Sequence, residues 1–314
     1  TFAARLRDDK IPQKLLESVK MWLMDESHHL TQGSQWGKCI ESFPNARGLG
    51  VTATPIRGDK KGLGRKAQGY FDYLSDTSSM LKLVKQGRLT PMKIYAPTQL
   101  DVGDLKTTAG GDYNQKKLYE KTKSQGSKIT GSAVEYYNRF IHSQPAITFA
   151  VNIEHGKYIA KKFNEAGIPT AFVSSKSKES ERKKAVEDLR SGVLWNLVNV
   201  DLFGEGFDAP AVAAVFLLRK TESYSLFKQQ IGRCLRPSEG KVFGYVFDHV
   251  GNVKLMLEKY GLESPYHDPE WTLESYGKTS ASDSSDLPKM IECPHCSYEG
   301  PLFNLYDEDG DLVF

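Results

Sequence analysis

The chain predicts an α/β fold built on a parallel sheet, and three observations carry that prediction. From about residue 132 onward, short apolar runs alternate with helical stretches. Each run is apolar throughout, as in strands that are buried on both faces of a parallel sheet. The helical stretches stop at glycines such as Gly167 and Gly192, the residue type that most readily closes a helix.

Taken in order, residues 12–20 (PQKLLESVK) form a helix and 21–24 (MWLM) a short buried strand. Residues 46–53 (ARGLGVTA) lead into a second strand ending at Thr54-Pro55, and the Gly- and Lys-rich stretch 57–69 is a loop. A helix within 78–91 stops at Gly87 and passes into the extended stretch 92–99. Residues 101–131 are polar and punctuated by glycine, with one helix at 114–123. Strands follow at 146–151, 170–175, 193–200, 212–219 and 242–250. Helices at 153–167, 177–192 and 223–236 lie between them. The expected organisation is a partial first domain at 1–95, a connector at 96–131 and a second domain at 132–270. A Ser/Asp-rich linker at 271–290, too poor in apolar residues to pack, precedes a small module at 291–314.

Composition narrows the class. Hydrophobic residues make up 39% and charged residues 26% of the 314, as in a globular protein. No apolar stretch approaches the roughly 18 residues that span a bilayer, and no signal-peptide pattern opens the chain, so no membrane partner is expected. Four cysteines are too few for a disulfide framework and point to a reducing, cytoplasmic compartment, in a bacterial cell or a phage-infected host. A net charge of +3 neither requires nor excludes nucleic acid. The opening on Thr1-Phe2-Ala3, without Met, reads as part of a longer chain.

Chemistry is concentrated at strand ends, where functional loops emerge from an open parallel sheet. Asp25 and Glu26 stand at the end of MWLM. Such a pair is either an ordinary strand end or half of a metal–nucleotide site, in which one acid holds Mg²⁺ and its neighbour orients a water. Thr52 and Thr54 at the second strand end can bond those carboxylates or His28. Gln229, Arg233 and Arg236 fall at helical spacing on one face, closed by Pro237. Paired guanidiniums there suit an anion such as a triphosphate. The loop 201–210 carries Gly204, Gly206 and Asp208, and its glycines allow close backbone approach to a ligand or form a plain turn.

These stretches together resemble superfamily 2 helicases of the DExH-box type, nearest the XPB-like and restriction-subunit-like DNA helicases, which include phage members. Asp25-Glu26-Ser27-His28 is similar to motif II and Thr52-Ala53-Thr54 to motif III. Residues 198–210 resemble motif V, and Gln229-x-x-Gly232-Arg233-x-x-Arg236 resembles motif VI. The resemblance covers about residues 1–270. It implies two RecA-like domains, the first incomplete, that use ATP and Mg²⁺ to move along nucleic acid, DNA rather than RNA. It further implies that Asp25 holds Mg²⁺ and Glu26 acts on the hydrolytic water. His28, Thr52 and Thr54 would couple nucleotide to nucleic acid. Arg233 and Arg236 would serve as arginine fingers beside Gln229, with Gly206 and Asp208 at the nucleotide.

One departure stands out. The family's phosphate cradle, G-x-x-x-x-G-K-[ST], is absent, and no Gly-Lys pair (at 37, 156, 240 or 277) completes that pattern. These 314 residues alone are therefore expected to hydrolyse ATP poorly or not at all. A nucleic-acid-binding or regulatory module that does not turn over ATP is the competing reading. Cys293-Pro294-His295-Cys296 has metal-knuckle spacing and suggests half of a zinc ribbon, since zinc needs four ligands. The basic stretch 57–66 offers phosphate contacts, whereas the Lys-rich helix 176–190 is expected to be a solvated face. The tryptophans are expected to pack in the core.

Overall fold

The computed structural model describes residues 11–57, 61–75, 78–96, 100–103, 105–108, 111–200, 202, 212–274, 290–292 and 299–301. They divide into two units, one within residues 1–77 and 269–279, the other within 78–268 and 280–314.

The first unit holds α1 (Gln13–Ser18), β1 (Met21–Met24), α2 (Gln35–Glu41) and β2 (Arg47–Gly50). Ser34 starts α2 by accepting the Gly37 amide on its hydroxyl at 3.0 Å. The strands pair in parallel with Met21 opposite Arg47 and Met24 opposite Gly50. One face is closed by Trp22, whose ring meets Phe71 edge-to-face at 6.1 Å. Gly48 is required there, because a Cβ would sit 1.9 Å from the Trp22 ring. The other face is open: Met21 is 59% exposed, Leu23 66%, Leu49 49% and Val51 44%. MWLM is thus a strand, as expected, but not a buried one. Among the described residues β1 has a single neighbouring strand and nothing over its odd-numbered side chains.

The second unit is a six-stranded sheet with every pairing parallel. Its strands are β3 (Met92–Tyr95), β4 (Ala146–Phe149), β5 (Thr170–Ser174), β6 (Asn196–Val200), β7 (Ala214–Leu217) and β8 (Gly244–Asp248), in the order β3-β8-β7-β4-β6-β5. The helices are α3 (Met80–Lys85), α4 (Gln115–Thr122), α5 (Gly126–Tyr136), α6 (Ile153–Glu165), α7 (Glu179–Arg190), α8 (Tyr224–Gly232) and α9 (Asn252–Tyr260). Strands β4, β6 and β7 are buried along their whole length, which is what their uninterrupted apolar character requires. Phe216 and Phe247 stack at 4.6 Å in the middle of the core. Three of the polar residues buried with them are hydrogen-bonded to one another. Thr148 Oγ1 donates to Asn196 Oδ1 at 2.9 Å, and Asn199 Nδ2 donates to the Thr148 carbonyl at 3.2 Å.

The sequence reading did not give helices α2, α5 and α9 or identify β3 as a strand. Residues 126–136 form α5, which buries Ile129, Thr130, Ala133 and Tyr136 and continues as a π-helical turn over Tyr137–Ile141. Its glycines and hydroxyl residues dilute the apolar period that would mark a helix. The stretch 92–95, read only as extended, is the edge strand β3, paired with β8 far along the chain. Helix α7 is a solvated face laced by ion pairs such as Lys183–Glu179 and Lys184–Asp188. Near the end of the chain, β9 (Met290–Glu292) and β10 (Glu299–Pro301) pair antiparallel. No described helix is long and apolar enough to cross a membrane.

Candidate functional site

In the first unit the β1–β2 ladder runs past the strands themselves. The Val51 amide donates to the Met24 carbonyl at 2.8 Å, and the Ser27 amide donates to the Val51 carbonyl at 3.0 Å. This lays Asp25–His28 beside Val51–Thr54, so the two sequence-predicted strand ends meet. The Glu26 amide donates to Asp25 Oδ1 at 2.8 Å, and Glu26 adopts a left-handed backbone, φ 50° and ψ 45°. That conformation is uncommon outside glycine and clusters at functional sites. It re-aims the chain between the two acids, so that Asp25 is exposed while Ser27 and His28 turn inward.

His28 Nδ1 lies 2.9 Å from Thr52 Oγ1 and 3.4 Å from Glu26 Oε2. An ionised carboxylate can only accept, so Nδ1 carries the proton of the neutral ring. The Thr52 hydroxyl can then accept from His28 and donate to the Thr54 carbonyl at 3.3 Å, while the Thr54 amide returns to Thr52 Oγ1 at 3.2 Å. Burial, reinforced by His29 next to it, pushes the His28 pKa down to about 4. The imidazole is therefore neutral at pH 7, and Glu26–His28–Thr52–Thr54 is a fixed-polarity relay rather than an ion pair. For Mg²⁺ the donor set is right: Mg²⁺ is commonly held by one or two carboxylates together with substrate phosphates, and an exposed Asp25 beside Glu26 offers that many. The described residues contain no cluster of three or more metal-ligating side chains.

In the second unit, Ser223 opens α8 by accepting the Leu226 amide at 3.3 Å. The helix ends at Gly232, with Arg233 as its C-cap. Gln229 and Arg233 keep the expected spacing, but Arg236 lies in the turn beyond and shares no helical face with them. The cause is Pro237, whose ring disfavours helical backbone in the residue before it. Arg233 is buried, at 8% exposure, and Arg236 is half-buried.

Of the remaining sequence-predicted residues, Gly206, Asp208, Cys293 and Cys296 lie outside the described residues. Much of the basic stretch after motif III is engaged internally: Arg65 pairs with Asp72, and Arg57 donates to the Ala67 carbonyl. Trp36 is 53% exposed rather than in a core. Residues that the sequence reading passed over include Glu26 as a backbone hinge and Lys241, which binds the turn after α8. No local signal marks the first, and the second is one of the Gly-Lys pairs.

Residues 133–238 match the helicase conserved C-terminal domain, and residues 4–57 match the res subunit of type III restriction enzymes. A 51.5 kDa protein of Lactococcus phage (isolate 7-9) is 31% identical over 288 residues, covering 92% of this chain and 60% of the relative. A protein provisionally named helicase 22 in Sulfolobus islandicus filamentous virus is 29% identical over 255 residues, covering 79% of this chain and 45% of the relative. Among solved structures, a fragment of a protein provisionally assigned as the HsdR subunit of a type I restriction enzyme, from Vibrio vulnificus YJ016, shares the fold. Its TM-score is 0.59 at 18% identity, over 79% of this chain and 56% of that one. The chain spans 60% or less of the length of both curated relatives.

Proposed function

Because the chain belongs to the superfamily 2 helicases of the restriction-subunit-like kind, we propose that it acts as part of an ATP-driven motor on nucleic acid, with DNA as the track. The observation that carries this reading is the Glu26–His28–Thr52–Thr54 relay, which joins the acids at one strand end to the hydroxyls at the next. Asp25 would hold Mg²⁺, which when bound would supply charge neutralisation for phosphoryl transfer. Glu26 orients the attacking water. A neutral His28 reports a shift of Glu26 to Thr52 and Thr54 without gaining or losing a proton. Arg233 and Arg236, with Gln229, contribute positive charge and donors for binding nucleotide phosphates, and Gly206 and Asp208 are assigned to nucleotide binding as well. The preference for DNA follows the restriction-subunit-like and XPB-like subgroup.

The missing G-x-x-x-x-G-K-[ST] pattern shapes the test, since it favours weak or no turnover by these 314 residues alone. ATP hydrolysis is measured with single-stranded DNA, duplex DNA and RNA, on this chain and on a longer natural form that supplies a phosphate loop. The expected result is DNA-stimulated turnover by the longer form and near-idleness of the short one. Glu26→Gln should lower turnover of the longer form by about a hundredfold or more, the scale of a lost water-orienting or general-base group. Stimulation by RNA alone reverses the choice of track. A longer form idle with every nucleic acid leaves a binding module that does not hydrolyse ATP. Zinc at Cys293 and Cys296 is a separate proposal, and metal analysis of the purified protein decides it.

A further inference from the structure

Lys241 belongs to one of the four Gly-Lys pairs, none of which completes a phosphate loop, and the structure gives it other work. Its Nζ donates to the carbonyls of Val212 at 2.7 Å, Arg236 at 2.9 Å and Cys234. An ammonium has three N–H donors, so all three are used. Cys234 and Arg236 lie just beyond Gly232, where carbonyls lose their intrahelical partners. Val212 lies two residues before β7. One cation thus ties the turn bearing Arg233 and Arg236 to the residue leading into β7. Two further features grip the same turn. The Thr90 amide donates to the Leu235 carbonyl at 2.8 Å. Gly244 passes so close that a Cβ there would sit 2.2 Å from the Cys234 oxygen. A compact ammonium can serve three converging carbonyls, whereas a planar guanidinium fork cannot point all its donors at one spot.

We propose that Lys241 is a positioning residue for nucleotide turnover: it fixes the turn that presents Arg233 and Arg236 and registers that turn to the lead-in of β7. This rests on the motor reading above. Lys241 acts through backbone oxygens alone and needs no contact with nucleotide.

Two measurements separate this inference from the reading on which it rests. The first uses the 314-residue chain and needs no ATP turnover. Lys241→Met keeps the aliphatic stem and removes the donors. Amide exchange at residues 233–236 should rise by about tenfold or more, while β4 and β6 keep their protection. Unchanged exchange, or equal acceleration across the whole second unit, overturns a local brace. The second uses the hydrolysing longer form. Lys241→Met should lower kcat by about 10- to 100-fold with KM for ATP within about twofold, the pattern of a group acting in the transition state. In an Arg233→Ala, Arg236→Ala background the same change should cost less than about twofold further, because coupled residues are not additive. Lys241→Arg should recover part of the loss. An undiminished loss in the arginine-free background overturns the positioning role. If removing the arginines leaves turnover intact, the assignment of those arginines fails, and positioning by Lys241 fails with it.

Discussion

The two units bury comparable apolar strands to very different depths. In the second, Ala146, Ile147, Leu197, Val198 and all of β7 are fully buried. In the first, β1 alternates between exposed and half-buried although it too is an apolar run. A run of apolar residues states what a strand is able to bury, whereas the number of neighbouring strands decides what it does bury. The chemistry divides the same way. The first unit keeps its acids at open strand ends backed by a small polar relay. The second keeps Arg233 inside, on a turn gripped from several sides.

The comparison is tested most severely in the core of the second unit. Phe216 stacks on Phe247 at 4.6 Å and meets Phe163 edge-on at 6.0 Å and Tyr137 at 6.1 Å. Phe216→Ala should destabilise that unit by about 3–5 kcal/mol through lost burial and the cavity left behind. Urea titration followed by Trp195 fluorescence, with Trp22, Trp36 and Trp271 replaced by Phe, measures it. A loss below about 1 kcal/mol, the scale of an exposed position, would mean that the sheet is not the tight layer described.

Acid should separate the units by a smaller margin. Burial lowers the pKa of His155 to about 4 and of His249 to about 3 in the second unit, and of His28 to about 4 in the first. An unfolded histidine titrates near 6.5. Below that pH the unfolded chain therefore binds protons that the folded chain refuses, and stability intact above pH 6.5 is lost as the pH falls toward 4. Between pH 7.0 and 5.5 the histidine share of this loss should be about twice as large in the second unit, which has two such groups, as in the first, which has one. The Asp248 carboxyl, raised by burial, offsets part of the former. Titrations read at Trp195 and, for the first unit, at Trp22 give the two values. Equal losses would break the comparison.

How much of this was legible from the residues follows from how local each cause is. Strands β4, β6 and β7 were readable because their burial on two faces leaves an unbroken apolar run. The stop of α8 before Arg236 was readable in principle from Pro237, yet the helical spacing of Gln229, Arg233 and Arg236 suggested a single face. Strand β3 was not identifiable as a strand of the second sheet, because its partner Gly244–Phe247 lies far along the chain. In the site, Thr52 and Thr54 announced themselves as hydroxyls at a strand end. The left-handed turn at Glu26 and the tripod of Lys241 did not, since both depend on groups brought together only by folding.

The smallest predicted effect is also the sharpest probe of the contrast. Leu23 is opposite Leu49 in the β1–β2 pair, and both point away from the Trp22 face. In a fully packed parallel sheet, Leu23→Ser would remove a buried side chain at about 2–5 kcal/mol and add an unsatisfied hydroxyl. With two-thirds of its surface in water, the same change should cost no more than about 0.5 kcal/mol. Trp22→Ala, on the other face of the same strand, should cost several times as much, because its ring closes over Gly48 and Phe71. Residue-resolved amide exchange across β1 and β2 reads the Trp22 variant, where the fluorophore itself is lost, and Trp22 fluorescence in urea reads the Leu23 variant. A Leu23→Ser loss above about 2 kcal/mol would show that this face is covered in solution, and the first unit would then obey the same burial rule as the second.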